Sequence, residues 1–263
     1  MRGHRALVAA RFKTLLQYRS AAIAGFSTQL FFGLTFVMIF DAFFESSTLP
    51  QPMEHADVVT YIWLGQAFLM VLPWNVDRDL QTLIRSGGVS YELLRPMDLY
   101  SAWFSRAIAM RTAPSALRAI PLVVVAALFF DMTAPESVMS GLAFGVAMIG
   151  AILLSCAITN FISISLMWTV SGEGVTHFAP AIVMMFSGMI VPLPFLPDWA
   201  ETIVMILPFS GLVDTPFRIY LGHLPTSDLW IVVGHQLVWT LAFIIIGRWL
   251  LNRGIRRMTV QGG

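Results

Sequence analysis

Six apolar runs divide this sequence, at residues 21–43, 58–76, 110–130, 137–168, 178–191 and 229–251. Most approach or exceed the roughly 20 residues a helix needs to cross about 30 Å of hydrocarbon. A chain built this way has few folds open to it, because in lipid each backbone N–H and C=O must find a partner inside its own segment or bundle. The expected fold is therefore an all-α membrane protein with six transmembrane helices, forming a single domain over residues 1–263. Composition agrees: 57% of residues are hydrophobic and 12% charged, about half the charge of a soluble domain. The fourth run exceeds one crossing and is expected to tilt or to continue as helix beyond the membrane; the fifth is short.

Charge placement predicts the orientation. Basic residues fall at 2, 5, 11, 13 and 19, at 78, 85, 95, 106, 111 and 118, and at 248, 253, 256 and 257, leaving Arg218 alone in a loop of the other phase. The positive-inside rule then puts both termini and the loop 77–100 in the cytoplasm. Acidic residues such as Glu45, Asp57, Glu136, Asp198 and Asp214 populate the opposite loops. Trp199 and Trp230 fit the outer interface, and Trp74, Trp168 and Trp249 the inner one.

Residues 1–20 place Val8, Phe12 and Leu15 at i, i+4 and i+7 among five basic residues. That spacing predicts an amphipathic helix at the membrane surface. A cleaved signal peptide is the alternative, but no small-residue cleavage site precedes the acidic loop, so the segment is expected to be mature structure. The lone Cys156 sits in an apolar run and is read as packing material.

The loop 77–100 is the longest stretch in the first half that water must solvate. Asp77 and Asp79 suit a helix N-terminus, and Leu80, Leu83 and Ile84 give that short helix an apolar stripe. Gly87 and Gly88 stop it. Ser90 is expected to cap a second turn, which Pro96 ends by restricting Arg95. An ordinary solvated loop is the bland reading, and it would not need the stripe.

Arg111 and Arg118 share one face of the third run, seven residues apart, with Arg118 about 10 Å deeper. An arginine there is costly unless it snorkels, pairs or meets water. This face is a candidate cavity border, with snorkelling past Pro114 and Pro121 as the alternative. In the fourth run Gly141 and Gly145 have GxxxG spacing, and Ser155, Thr159 and Ser163 form a hydroxyl row beside Asn160. Helix packing is the preferred reading of both; a polar path at Asn160 is the other. Met185 and Met189 in the fifth run are compatible with an adaptable apolar path, and equally with core packing. After Pro192, Pro194 and Pro197, the segments 198–207 and 210–220 are each too short to span and are expected to re-enter the outer leaflet within residues 194–225.

A basic N-terminal helix, six spans, a structured loop with GG and LLRP between spans two and three, and two short helices between spans five and six together resemble the permease subunits of ABC exporters of the ABC-2 type, in particular bacterial drug and viologen exporter permeases. The resemblance covers nearly the whole chain. It implies the bacterial inner membrane, a dimer of identical or related permeases, and two separate ABC ATPase subunits that bind ATP and magnesium. This chain would itself hold no cofactor, and its remaining partners would be membrane lipids, with no nucleic acid. Residues 79–84 would be the coupling helix seated in an ATPase cleft, giving a contact set of Asp79, Leu80, Leu83, Ile84, Arg85 and Glu92, with Glu173 in a second contact. The candidate path would comprise Arg111, Arg118, Asn160, Met185 and Met189.

Other chemistries fit less well. No G-x-x-x-x-G-K-[ST] phosphate loop is present, so ATP hydrolysis is expected in a partner rather than here. Neither a GxSG-type serine with a membrane histidine nor an H-E-x-x-H site occurs. His223 and His235 lack carboxylates at metal-ligand spacing. An ion-coupled secondary transporter would place several acids mid-span, whereas nearly all acids here lie at span ends. That class and a non-transporting scaffold stay as alternatives. Amphipathic drugs, lipids and peptides are all open as substrates.

Overall fold

A computed structural model describes residues 2–17, 19–169 and 173–257, with no strand among them. The helices are α1 (Arg2–Leu16), α2 (Arg19–Ser46), α3 (His55–Phe68), α4 (Arg78–Arg85), α5 (Val89–Leu93), α6 (Leu99–Phe129), α7 (Val138–Ser165), α8 (Glu173–Phe186), α9 (Asp198–Ile206), α10 (Asp214–Tyr220) and α11 (Leu229–Arg257). Among the described residues, four helical stretches are long and apolar enough to cross a membrane: Ala22–Ser46, Leu99–Phe129, Val138–Trp168 and Thr226–Arg257.

The other two expected spans are shorter helices prolonged by irregular chain. α3 has 14 residues, about 21 Å of rise, and a 3-10 turn at Leu69–Val71 continues it. Its shortness is tolerated because every residue from Val58 to Ala67 is buried. Enclosed by protein, its freed carbonyls can be satisfied without water. α8 begins five residues before the expected 178 and ends at Phe186, short of the expected 191. The chain then turns at Gly188, whose φ is +85°.

The third span starts at Leu99 rather than near Met110. Asp98 caps it, its carboxylate accepting the Ser101 N–H at 3.0 Å. Helix α6 therefore runs for 31 residues straight through Pro114 and Pro121. The fourth span starts as expected, with the Ser137 hydroxyl accepting the Ser140 N–H at 3.0 Å. Its Gly141 and Gly145 carry no helix contact within this chain. A Cβ on Gly145 would meet open space and one on Gly141 only Pro135, since α7 turns Ala143, Ala147 and Ala151 inward instead. The hydroxyl row faces the other way: Ser155, Thr159 and Ser163 are all buried in the bundle.

The molecule has two chemically distinct ends. At one, Leu80, Val89, Leu99, Tyr100, Trp103, Ile164 and Leu251 form a single apolar cluster uniting α4, α5 and the near ends of α6, α7 and α11. Arginines crowd this end. Helix α1 lies along α6 there, with Val8, Phe12, Leu15 and Leu16 half-buried, so its apolar face meets protein as well as any surface. At the other end α10 is almost wholly buried, while α9 exposes Trp199, Ile203 and Ile206. Buried Asp214 ties this end together, accepting from the Tyr61 hydroxyl and the Leu193 N–H, both at 3.1 Å.

Candidate functional site

The loop between α3 and α6 is built as a braced lever. Asp77 caps α4 by accepting the Asp79 N–H at 3.0 Å. The same carboxylate accepts Arg106 Nε of α6 at 2.8 Å and Arg11 Nη2 of α1 at 3.2 Å. Arg11 also pairs with Asp79. Two arginines and two aspartates thus join α1, α4 and α6 at one point, making three elements respond together. Burial alone would raise the Asp77 carboxyl, but hydrogen bonds and charge from Arg106 and Arg11 outweigh it and hold the group below the ordinary carboxylate range.

Because the folded-state pKa is depressed, this contribution is present above the unfolded value near 4 and is lost as pH falls through the folded one. Asp77→Asn is expected to cost about 1–3 kcal/mol of local stability at neutral pH, with two arginines left short of a counter-charge. Hydrogen exchange across residues 78–85 should read this as faster opening in the variant at pH 7. The difference from wild type should shrink as pH drops below about 4.

Within the lever, the apolar stripe turns inward. Leu80 is 2% exposed, and Leu83 and Ile84 pack half-buried against the same cluster. The reason is local: Val89, Tyr100 and Trp103 already present an apolar surface at the ends of α5 and α6, and the stripe covers it. Helix α4 shows solvent Arg78, Asp79, Thr82 and Arg85 instead. Glu92 is also turned in, accepting Trp103 Nε1–H at 2.8 Å. The turn after α4 uses Gly87 at φ +72°, the left-handed position that glycine occupies without strain. Gly88, not Ser90, precedes α5; Ser90 lies inside it and donates its hydroxyl to Gly87 O.

The exposed apolar surface of the lever lies beyond that turn. Tyr91 is 76% and Leu94 81% exposed, with Leu93 beside them. A helix of five residues is too short to reveal a periodic face, which is why the sequence pattern does not single these two out. Glu173 opens α8, but its side chain falls outside the described residues, as does Gly172.

The candidate path residues stand in different surroundings. Arg111 is 1% exposed, and both of its terminal nitrogens are engaged while its buried Nε has no partner among the described residues. It donates to Leu72 O at 2.7 Å, to Asn75 O at 2.8 Å and Oδ1 at 3.3 Å, and to Thr159 Oγ1 at 2.9 Å. The guanidinium therefore stands where α3 has ended and its chain has freed carbonyls, and it joins that break to α6 and α7. Its multiple fixed donors suit such a task. Arg118 lies against Gly25 of α2 and reaches Met70 Sδ at 3.4 Å. Asn160 donates to Tyr100 O at 3.3 Å inside the bundle. Met189 packs by Gly65, whereas Met185 is 66% exposed on α8.

Among the described residues no group of three or more His, Cys, Asp or Glu is placed to hold a metal. His223 does have a carboxylate, Asp57 at 2.7 Å, a contact spanning 166 positions that residue spacing does not reveal.

An all-helical chain with four helices of spanning length and polar clusters at both ends is a multi-pass membrane protein. It belongs to the ABC-2 transporter family: a family model described as ABC-2 family transporter protein matches residues 32–262, nearly the whole chain. Membership makes it a membrane component of an ABC transporter, a class in which separate ABC ATPase subunits carry ATP hydrolysis. No curated protein and no solved structure matches it.

Proposed function

We propose that this chain is the membrane permease of an ATP-driven exporter, moving a hydrophobic or amphipathic molecule, drug-like or lipid, outward by alternating access. Two ATPase subunits, holding ATP and its magnesium, would act on a pair of permeases, identical or related, in a bacterial inner membrane. The arginine-rich end with both termini would face the cytoplasm, as the positive-inside rule requires.

One observation carries the coupling reading: large apolar side chains, Tyr91 and Leu94, stand exposed on a polar loop whose base is bolted to α1 and α6. Exposed anchors of this size on a braced element suit a docking surface. The ATPase would seat on Tyr91, Leu94 and the outer face of α4 at Arg78, Thr82 and Arg85. Movement of the lever would pass through Asp77 to Arg106 of α6 and to Arg11 of α1. The inward-turned stripe of Leu80, Leu83 and Ile84 would serve this by stiffening the lever, where the sequence reading expects it to make the contact itself.

The test is transport by inverted membrane vesicles containing the chain and its ATPase, with a dye or drug as probe. ATP-dependent uptake that persists when an ionophore collapses the proton gradient is the expected result. Uptake that follows the proton gradient and ignores ATP would instead establish an ion-coupled transporter, and a chain that assembles with no ATPase and moves nothing would be a scaffold.

A further inference from the structure

The last helix carries cations that no carboxylate among the described residues neutralises. In α11, Arg248 turns toward α6 and pairs with Asp98 at 3.0 Å. Arg253 and Arg257, one and two turns beyond Trp249, do otherwise. The Arg253 guanidinium lies 4.1 Å from the centre of the Trp249 ring, and that of Arg257 lies 4.5 Å from the Trp168 ring at the end of α7. Among the described residues no carboxylate lies within ion-pair reach of Arg253, Arg256 or Arg257.

Helix α11 comes close to the 3-10 turn Leu166–Trp168 that follows α7. Gly254 lies directly against Met167, since a Cβ there would come 2.9 Å from the Met167 methyl. Residues 249, 253 and 257 share a helix face at i, i+4 and i+8. The result is an array of planar cations laid on tryptophan rings, held in place by cation–π attraction and open to an anion.

Depth identifies the anion. Trp230 and Trp249 are both exposed on α11, and 19 residues of rise separate them by about 28 Å, close to the hydrocarbon thickness of a bilayer. Exposed tryptophans at such a spacing mark the two interfaces. Arg253 then stands about 6 Å beyond the inner one, at the level of lipid phosphates, and Arg257 about 12 Å beyond it, from where its side chain leans back toward the helix N-terminus and so toward them. The geometry points to a binding site for an anionic phospholipid headgroup at the arginine-rich end of α11, formed by Arg253, Arg257, Trp249 and Trp168. Guanidinium groups match phosphate oxygens bidentately, and their stacking on the rings fixes their planes in advance. The bound lipid would brace the ends of α7 and α11 beside the lever. This assignment needs only that the chain sits in a membrane, and it does not depend on how transport is driven.

The experiment is native mass spectrometry of the full-length protein released from phosphatidylcholine nanodiscs containing a minor fraction of phosphatidylglycerol. Wild type is expected to retain phosphatidylglycerol selectively. The double variant Arg253→Gln with Arg257→Gln should lower that selectivity roughly thirtyfold, the combined effect of two arginines at an anionic surface. Lys13→Gln, which removes an exposed cation from the same end of the molecule, should leave it unchanged. The pair Arg253→Lys with Arg257→Lys should keep most of it. Wild type without a preference for phosphatidylglycerol overturns the site whatever the variants do. An equal loss with Lys13→Gln overturns it too, since binding would then be diffuse attraction. If the double variant keeps its lipid but loses the ATPase subunit, the array is a protein contact and the lipid assignment is wrong.

Discussion

Replacing Arg111 by leucine is expected to destabilise the bundle by about 3–5 kcal/mol, the cost of leaving several buried acceptors unpaired. The side chain satisfies Leu72 O, Asn75 O and Thr159 Oγ1 in a place that water does not reach. Leucine supplies none of those donors. At 2–4 °C per kcal/mol for chains of this size, the melting temperature in detergent should fall by roughly 10 °C. Arg111→Lys should recover part of the loss, since one ammonium donates to fewer of these oxygens. A leucine variant of unaltered stability that no longer transported would assign Arg111 to the substrate path instead of to the joint between α3, α6 and α7.

The second large effect concerns the lever surface. Exchanging both Tyr91 and Leu94 for serine is expected to weaken association with the ATPase about 100-fold or more, as loss of two anchor residues does. Folding should change by less than about 0.5 kcal/mol, because both side chains already stand in solvent. Leu80→Ser should behave in the opposite way. Its side chain lies in the cluster with Val89, Trp103 and Leu251, so the lever itself should loosen, with hydrogen exchange rising across residues 78–93 and coupling lost only as a consequence. The contrast separates a surface that touches the partner from a core that holds the surface rigid.

Local chemistry in the sequence was a reliable guide where it acts over a few residues. Asp77 caps α4 and Gly87 stops it, each as the residue types require, whereas Ser90, expected as a cap, lies inside α5. Apolar length located the helices but not their limits: Asp98 begins α6 eleven residues or more before hydrophobicity becomes continuous, because a good cap and amphipathic flank extend a helix past the lipid. Direction was harder. The stripe on α4 was legible as a stripe, yet which surface it covers depends on Val89, Tyr100 and Trp103, residues that tertiary packing brings to it. The arginines were legible as costly and in need of partners. Their partners were not, because Arg111 answers a break in α3 that lies 36 to 39 positions away, and Arg11 answers Asp77 across 66. Such pairings carry no periodic signature.

The measurement that most directly tests the central claim is site-specific cross-linking from position 91 in native membranes. Tyr91→Cys, treated with a short thiol-to-amine reagent, reports what touches the lever, since the chain's own Cys156 is buried. The expected product is an adduct with an ABC ATPase subunit, identified by mass spectrometry of its nucleotide-binding peptides, whose yield changes between ATP-bound and nucleotide-free states. Failure of position 91 to capture that subunit in either state, while the ATPase still copurifies with the chain, would contradict the account and place the coupling contact elsewhere.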